Sequence, residues 1–181
     1  MNMKNILFFL IFLAMSSVTN AEIKREYLGI TLGQGMVDPG DDSSIQNDDL
    51  ESSLSYGVFG TGITENGFGV ELGIVAFDEF QSEDFDNVYA RAYGFEVSPL
   101  YEMALSETVA LYGKAGLFAW TASYTTDTTR WEDSGVSLTV GFGVTLLPKA
   151  SNLIWRFSAQ YYNDVDDAGI TRAGVDLGFH F

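Results

Sequence analysis

The chain closes on Gly174–Phe181, "GVDLGFHF", in which Val175, Leu177, Phe179 and Phe181 take every second position and Gly174, Asp176, Gly178 and His180 take the others. Alternate residues of a β-strand point to the same face, so the stretch reads as a strand with one apolar face and one small or charged face. The apolar side needs something other than water against it up to the last residue. Whatever supplies that environment decides the fold.

The opposite end of the chain gives the compartment. Lys4 precedes an apolar run, "ILFFLIFLAM", and "SSVTNA" follows, ending in Ala21. A positive start, a short apolar core and a small-residue cleavage site define a secretory signal peptide, here residues 1–21, removed to leave 22–181 as one domain. A membrane-spanning helix needs about 20 apolar residues, roughly twice this run. The chain has no cysteine, so it is not a disulfide-stapled secreted scaffold. Net charge of −16 leaves few clustered cations for phosphate, which argues against a nucleic-acid partner. An exported chain rich in glycine (19) and aromatics (14%) has two homes, a soluble β-sandwich or a closed barrel in an outer membrane.

The pattern between the two ends separates these. Eight segments alternate: 26–36, 52–63, 67–78, 87–100, 108–121, 136–147, 152–163 and 170–181. They exceed the usual five or six residues of globular strands and match the roughly 9–11 of a tilted membrane strand. Their connections run long ("VDPGDDSSIQNDDLE"), tight ("TEN"), long ("EFQSEDFD"), tight ("YEMALSE"), long ("ASYTTDTTRWEDSG"), tight ("PKAS") and medium ("DVDDAG"). Seventeen of the 25 acids lie in or beside the four longer ones, which makes the acidity a one-sided cap.

The two faces of each segment also differ. Phe68, Val70, Leu72, Ile74 and Ala76 oppose Gly69, Glu71 and Gly73; Trp155, Phe157, Ala159 and Tyr161 oppose Arg156, Ser158 and Gln160. Gly29, Gly33, Gly141, Gly143, Gly174 and Gly178 share the small face, as a narrow lumen requires. Apolar outside and small, polar or charged inside is the pattern of a barrel in lipid. Phe68, Trp155, Phe179 and Phe181 then fall near one rim, and Tyr56 and Tyr161 toward the other, as aromatic girdles. The expected fold is all-β: an eight-stranded antiparallel up-and-down transmembrane β-barrel.

The segments "FGVELGIVAFDEF", "LYGKAGL", "GVSLTVGFGVTLL", "WRFSAQYY" and "GVDLGFHF" carry a resemblance. The chain resembles the eight-stranded outer-membrane β-barrel family that includes OmpA-type membrane anchors, OmpX-like proteins and opacity-type surface proteins. The resemblance implies that Phe181, with Phe179 and Leu177, is the signal read by the outer-membrane assembly machinery. It also implies an interior salt-bridge network at Glu71, Lys114 and Arg156, although Thr145 stands where the family often has a second glutamate.

The residues point to the same network independently. Glu71, Lys114, Arg156 and Asp176 lie on the inward register about four to six residues from the short-turn end, and buried charges need partners of opposite sign. Arg91 on the fourth strand is counted with them, which turns Tyr93 and Phe95 inward and Glu96 toward lipid unless a bulge resets the register. No catalytic constellation is expected: His180 is the one histidine and has no serine beside it in sequence. "DVDDAG" lacks the glycine and closing glutamate of a calcium loop, and neither metal nor cofactor is expected. The functional expectation is a monomeric, non-enzymatic barrel of a Gram-negative bacterium with a plugged lumen and a structural or surface-interacting role. Its expected partners are outer-membrane lipid and lipopolysaccharide. A narrow small-solute channel is the alternative, with a lipid-modifying enzyme behind it.

Overall fold

The computed structural model describes residues 23–39, 52–81, 89–125, 129–166 and 168–181. The expected signal peptide lies outside these residues. Eight strands follow one another: β1 (Ile23–Pro39), β2 (Ser52–Thr64), β3 (Phe68–Gln81), β4 (Tyr89–Ala104), β5 (Val109–Thr125), β6 (Arg130–Leu146), β7 (Leu153–Val165) and β8 (Ala168–His180). Each pairs with its neighbours in the chain, and β1 also pairs with β8, from Tyr27 opposite His180 to Pro39 opposite Ala168. The sheet is therefore a closed antiparallel barrel, and closure removes the edge strands along its wall.

Turn chemistry fixes the short-connection end. Gly67 closes the β2–β3 turn at φ +83°, a conformation that L side chains rarely adopt. A Cβ there would also meet the Glu102 carbonyl oxygen at 2.4 Å, where the Glu102 amide donates to the Gly67 carbonyl. In the β4–β5 turn Ser106 Oγ accepts from the amides of Thr108 and Val109. Such a hydroxyl satisfies backbone donors that the ladder leaves over.

The other end departs from expectation. The stretch "ASYTTDTTRWEDSG", read as a long connection, is mostly strand: β5 and β6 pair out to Thr125 opposite Arg130. The β7–β8 connection likewise shrinks to 166–167, with Asp164 and Asp166 at positive φ. Polar and charged residues mark water there, not the end of the ladder. Two paired strands continue into solvent as readily as they cross lipid. The tight turn expected at "YEMALSE" also begins later, because β4 runs to Ala104.

Leu28, Ile30, Leu32, Leu72, Ile74, Val140, Phe142 and Phe157 are exposed on the outer wall, Phe142 at 68%. Soluble monomers rarely expose large apolar side chains side by side in this way, whereas a wall facing lipid does. Phe68 packs on Tyr101 (ring centroids 5.0 Å) and Phe179 near Phe181 (6.1 Å) at the short-turn rim. Tyr56 and Tyr161 lie outward nearer the other rim.

The inside is not uniformly small and polar, as the pattern had led us to expect. Toward the long-connection end Val75, Phe77, Phe80, Phe118, Trp120 and Tyr162 pack together as an apolar plug. Toward the short-turn end Tyr27, Phe59, Ile63, Leu100 and Ile154 form a second one. A lumen too narrow for bulk water is filled by side chains, and rings fill it at the density of an ordinary protein core.

Candidate functional site

Between the two plugs lies a layer of paired charges. Glu71 on β3 accepts from Lys114 Nζ (2.6 Å), Arg156 Nη1 (2.6 Å) and Thr61 Oγ1 (2.8 Å). Lys114 on β5 also pairs with Glu96 on β4 at 2.8 Å. Glu96 in turn accepts from Ser98 Oγ (2.6 Å) and Gln160 Nε2 (2.7 Å), and Gln160 donates to Thr139 as well. Asp176 on β8 accepts from Thr31 at 2.5 Å and faces Arg172 (3.5 Å) and Arg156 (3.7 Å). Arg172 further donates to Ser55 (3.0 Å) and to Thr31.

Lys114, Arg156 and Arg172 thus face Glu71, Glu96 and Asp176, three cations against three anions, all buried. Neutrality within the layer answers the large penalty of desolvating each charge. The Arg156 guanidinium also lies over the rings of Phe59 (4.8 Å) and Tyr112 (4.2 Å), which supply attraction without a competing carboxylate. Glycines on β6 make the room: a Cβ on Gly141 would lie 3.1 Å from Lys114 Cε, and one on Gly143 2.7 Å from the Tyr112 ring. Nearer the short-turn end, Arg25 pairs with Glu102 at 2.5 Å, and Thr145 donates to the same carboxylate at 3.4 Å. Position 145 is threonine, and Glu102 on β4 is the carboxylate that its hydroxyl meets.

Four of the five residues read from sequence as a network, Glu71, Lys114, Arg156 and Asp176, come together here. Arg91 does not, and this corrects the reading. Its side chain is 59% exposed on the outer wall, paired with Glu79 at 2.5 Å and Asp78 at 3.9 Å. The register of β4 is the cause: Glu96, Ser98, Leu100 and Glu102 point inward, so Arg91, Tyr93 and Phe95 point outward.

Glu96, Glu102, Arg172 and Arg25 were missed. Arg172 was within reach, because it stands four residues before Asp176 on one strand and so shares its face. Glu96 needed only the opposite register for the fourth strand, which also sends Tyr93 and Phe95 to lipid. Glu102 was hidden by the turn expected over Tyr101–Glu107. Leu177, Phe179 and Phe181, the expected assembly signal, lie on the outward register of β8 and just past its end.

Apolar outside, closed, and filled within by paired charge, this is the architecture of a small outer-membrane β-barrel. The chain belongs to the family described as the OmpA-like transmembrane domain, whose model matches residues 22–178. It is accordingly an outer-membrane protein. No curated protein matches it in sequence. Among solved structures it is similar to Ail, the attachment invasion locus protein of Yersinia pestis, at 18% identity and TM-score 0.65, over 88% of this chain and 100% of that one. Neisserial surface protein A shares 13% identity at TM-score 0.68, over 86% and 97% of the two chains. The N-terminal barrel domain of Pseudomonas aeruginosa OprF shares 12% at TM-score 0.55, over 84% and 97%. At these identities the likeness is one of fold.

Proposed function

We propose that this barrel is a sealed, non-enzymatic scaffold of the outer membrane that displays an acidic surface outward. The observation that carries the reading is the filling of the lumen. The space left beside Glu71, Lys114, Arg172 and Asp176 is a cavity of about 20 Å³, room for about one water molecule. An ion crossing the barrel would have to part the pairs of the charged layer and dewetted rings on both sides of it. The competing reading, a narrow small-solute channel, needs both plugs to open.

The acidic cap narrows the partner. In sequence, 17 acids stand in or beside the longer connections, with Arg91 and Arg130 as the cations of the same stretches. Ail of Yersinia pestis has been solved with the heparin analogue sucrose octasulfate; an acidic cap repels such polyanions, and we assign cationic partners to this one. Divalent cations bridging these carboxylates to lipopolysaccharide phosphates give a second, lipid-directed contact. Leu177, Phe179 and Phe181 are proposed as the contact for the assembly machinery. His180 lies against the Tyr27 ring, 5.9 Å between centroids.

Planar-bilayer recording of the purified, refolded barrel tests the seal. The expected trace stays at the baseline of the bare bilayer. Reproducible unit conductance steps would overturn the reading in favour of the channel.

A further inference from the structure

The charged layer satisfies itself except around its cavity. Glu71 engages both carboxylate oxygens, with Lys114, Arg156 and Thr61, and Glu96 does the same with Lys114, Ser98 and Gln160. Four other groups on the cavity wall each keep one bonding position free among the described residues. Lys114 Nζ carries three N–H bonds and uses two, on Glu71 and Glu96. Gln160 gives both amide protons, to Glu96 and Thr139, which leaves its Oε1 without a donor. Asp176 Oδ1 accepts from Thr31, whereas Oδ2 has Arg156 Nε at 3.7 Å, beyond hydrogen-bond reach. The Ser158 hydroxyl accepts from Arg172 at 3.5 Å, and its own proton goes to none of the described residues.

Lys114, Gln160 and Asp176 are each more than nine-tenths buried, so bulk water does not reach these positions. The cavity they share is about 20 Å³, and roughly 10–15 Å³ is enough for one water molecule. Two free donors and two free acceptors therefore line one small enclosed space. Their complement is a molecule that accepts two hydrogen bonds and donates two. A metal or ammonium cation offers no acceptor and would meet Lys114 and Arg172; a halide offers no donor and would meet Glu71, Glu96 and Asp176. Either ion would also unbalance a layer that already sets three cations against three anions.

We propose that this cavity is a binding site for one ordered water molecule, which accepts from Lys114 Nζ and Ser158 Oγ and donates to Asp176 Oδ2 and Gln160 Oε1. So placed, it joins β5, β7 and β8 across the lumen. It also links the Glu71, Glu96 and Lys114 half of the layer to the Asp176 and Arg172 half. Gly73 keeps the site open. It stands on the cavity wall, and a Cβ there would meet nothing nearer than the Val58 carbonyl oxygen at 3.5 Å and Glu96 Cβ at 4.0 Å. Alanine at this position therefore fits the backbone and takes up the space of the water.

This inference rests on the sealed reading above, because a water held in a closed lumen exchanges slowly. The test is NOE and ROE transfer from water to the protons of Gly73 and Val75, both on the cavity wall, in the whole barrel in phosphatidylcholine nanodiscs. Cross-peaks of opposite sign in the two spectra, the signature of a long-resident water, are expected in the parent and lost in Gly73→Ala. Cross-peaks that survive the substitution would come from exchanging hydroxyl or ammonium protons and would overturn the proposal. The urea midpoint of Gly73→Ala should fall, because Lys114 and Asp176 lose a partner; a rise, as on filling an empty cavity, would overturn it too. So would shifts of the Gly73 and Val75 amides that saturate with ammonium or bromide, which would make the occupant an ion. Absent cross-peaks beside a silent bilayer would sink the site alone, whereas unit conductance would sink the sealed reading on which it rests. Should Gly73→Ala fail to fold, the parent spectra and the salt titration decide alone.

Discussion

Replacing Glu71 by alanine tests the charged layer where it is most connected. The carboxylate accepts from Lys114, Arg156 and Thr61 within 2.8 Å, and its loss leaves three buried cations facing two anions. Breaking a buried pair typically costs about 3–5 kcal/mol, mostly through the charge left unpaired. Lys114 keeps Glu96 at 2.8 Å and Arg156 keeps Asp176 at 3.7 Å, so the lower figure applies, about 3 kcal/mol. Removing Lys114 together with Glu71 returns the layer to two cations against two anions. The double variant should therefore lose at least about 1 kcal/mol less than the sum of the singles. Reversible urea unfolding of the barrel in lipid vesicles, followed by tryptophan fluorescence, reads all three. A Glu71→Ala variant within about 0.5 kcal/mol of the parent, or strict additivity in the double, would refute the claim that neutrality of this layer holds the lumen together.

Phe118→Ala should destabilise by about 3–5 kcal/mol in the same assay, because the ring is fully buried among Tyr162 and its neighbours in the upper plug. Arg91→Ala should change stability by about 1 kcal/mol or less, since its pairing with Glu79 is exposed; a loss comparable to that of Arg156→Ala would restore Arg91 to the lumen. Phe142→Lys, in the middle of the outward belt of β6, should cost about 2–4 kcal/mol in vesicles, and a neutral outcome would contradict its exposure to lipid. Gly67→Ala should lose about 1 kcal/mol or more through its positive φ and the Glu102 carbonyl against it, read by the unfolding midpoint.

Most of the barrel was legible because a period of two leaves only one question per strand, namely which face is in. The first, third, sixth, seventh and eighth strands answered it with glycine or charge on one face and apolar residues on the other. The fourth did not, because Arg91 and Glu96 stand on opposite faces and one of them had to be outside. The structure resolves it through exposure to water: Arg91 sits high on the wall beside Asp78 and Glu79, where an outward charge is hydrated. The upper plug was illegible for another reason. Val75 and Phe77 continue the inward register of Glu71 and Gly73, and nothing local says that a lumen changes from polar to apolar along its length. The reach of β5 and β6 beyond the membrane was hidden by composition, since threonine, serine and acid suit a hydrated strand as well as a loop.

The assignment of faces underlies every other statement, and quenching of tryptophan by brominated phosphatidylcholine tests it most directly. Trp155 points outward, 43% exposed, and Trp120 points inward, 7% exposed, with its indole N–H on Ser137. In vesicles of brominated lipid, a variant keeping only Trp155 should lose most of its emission and one keeping only Trp120 should keep it. The reverse order would show that lipid and lumen have been exchanged.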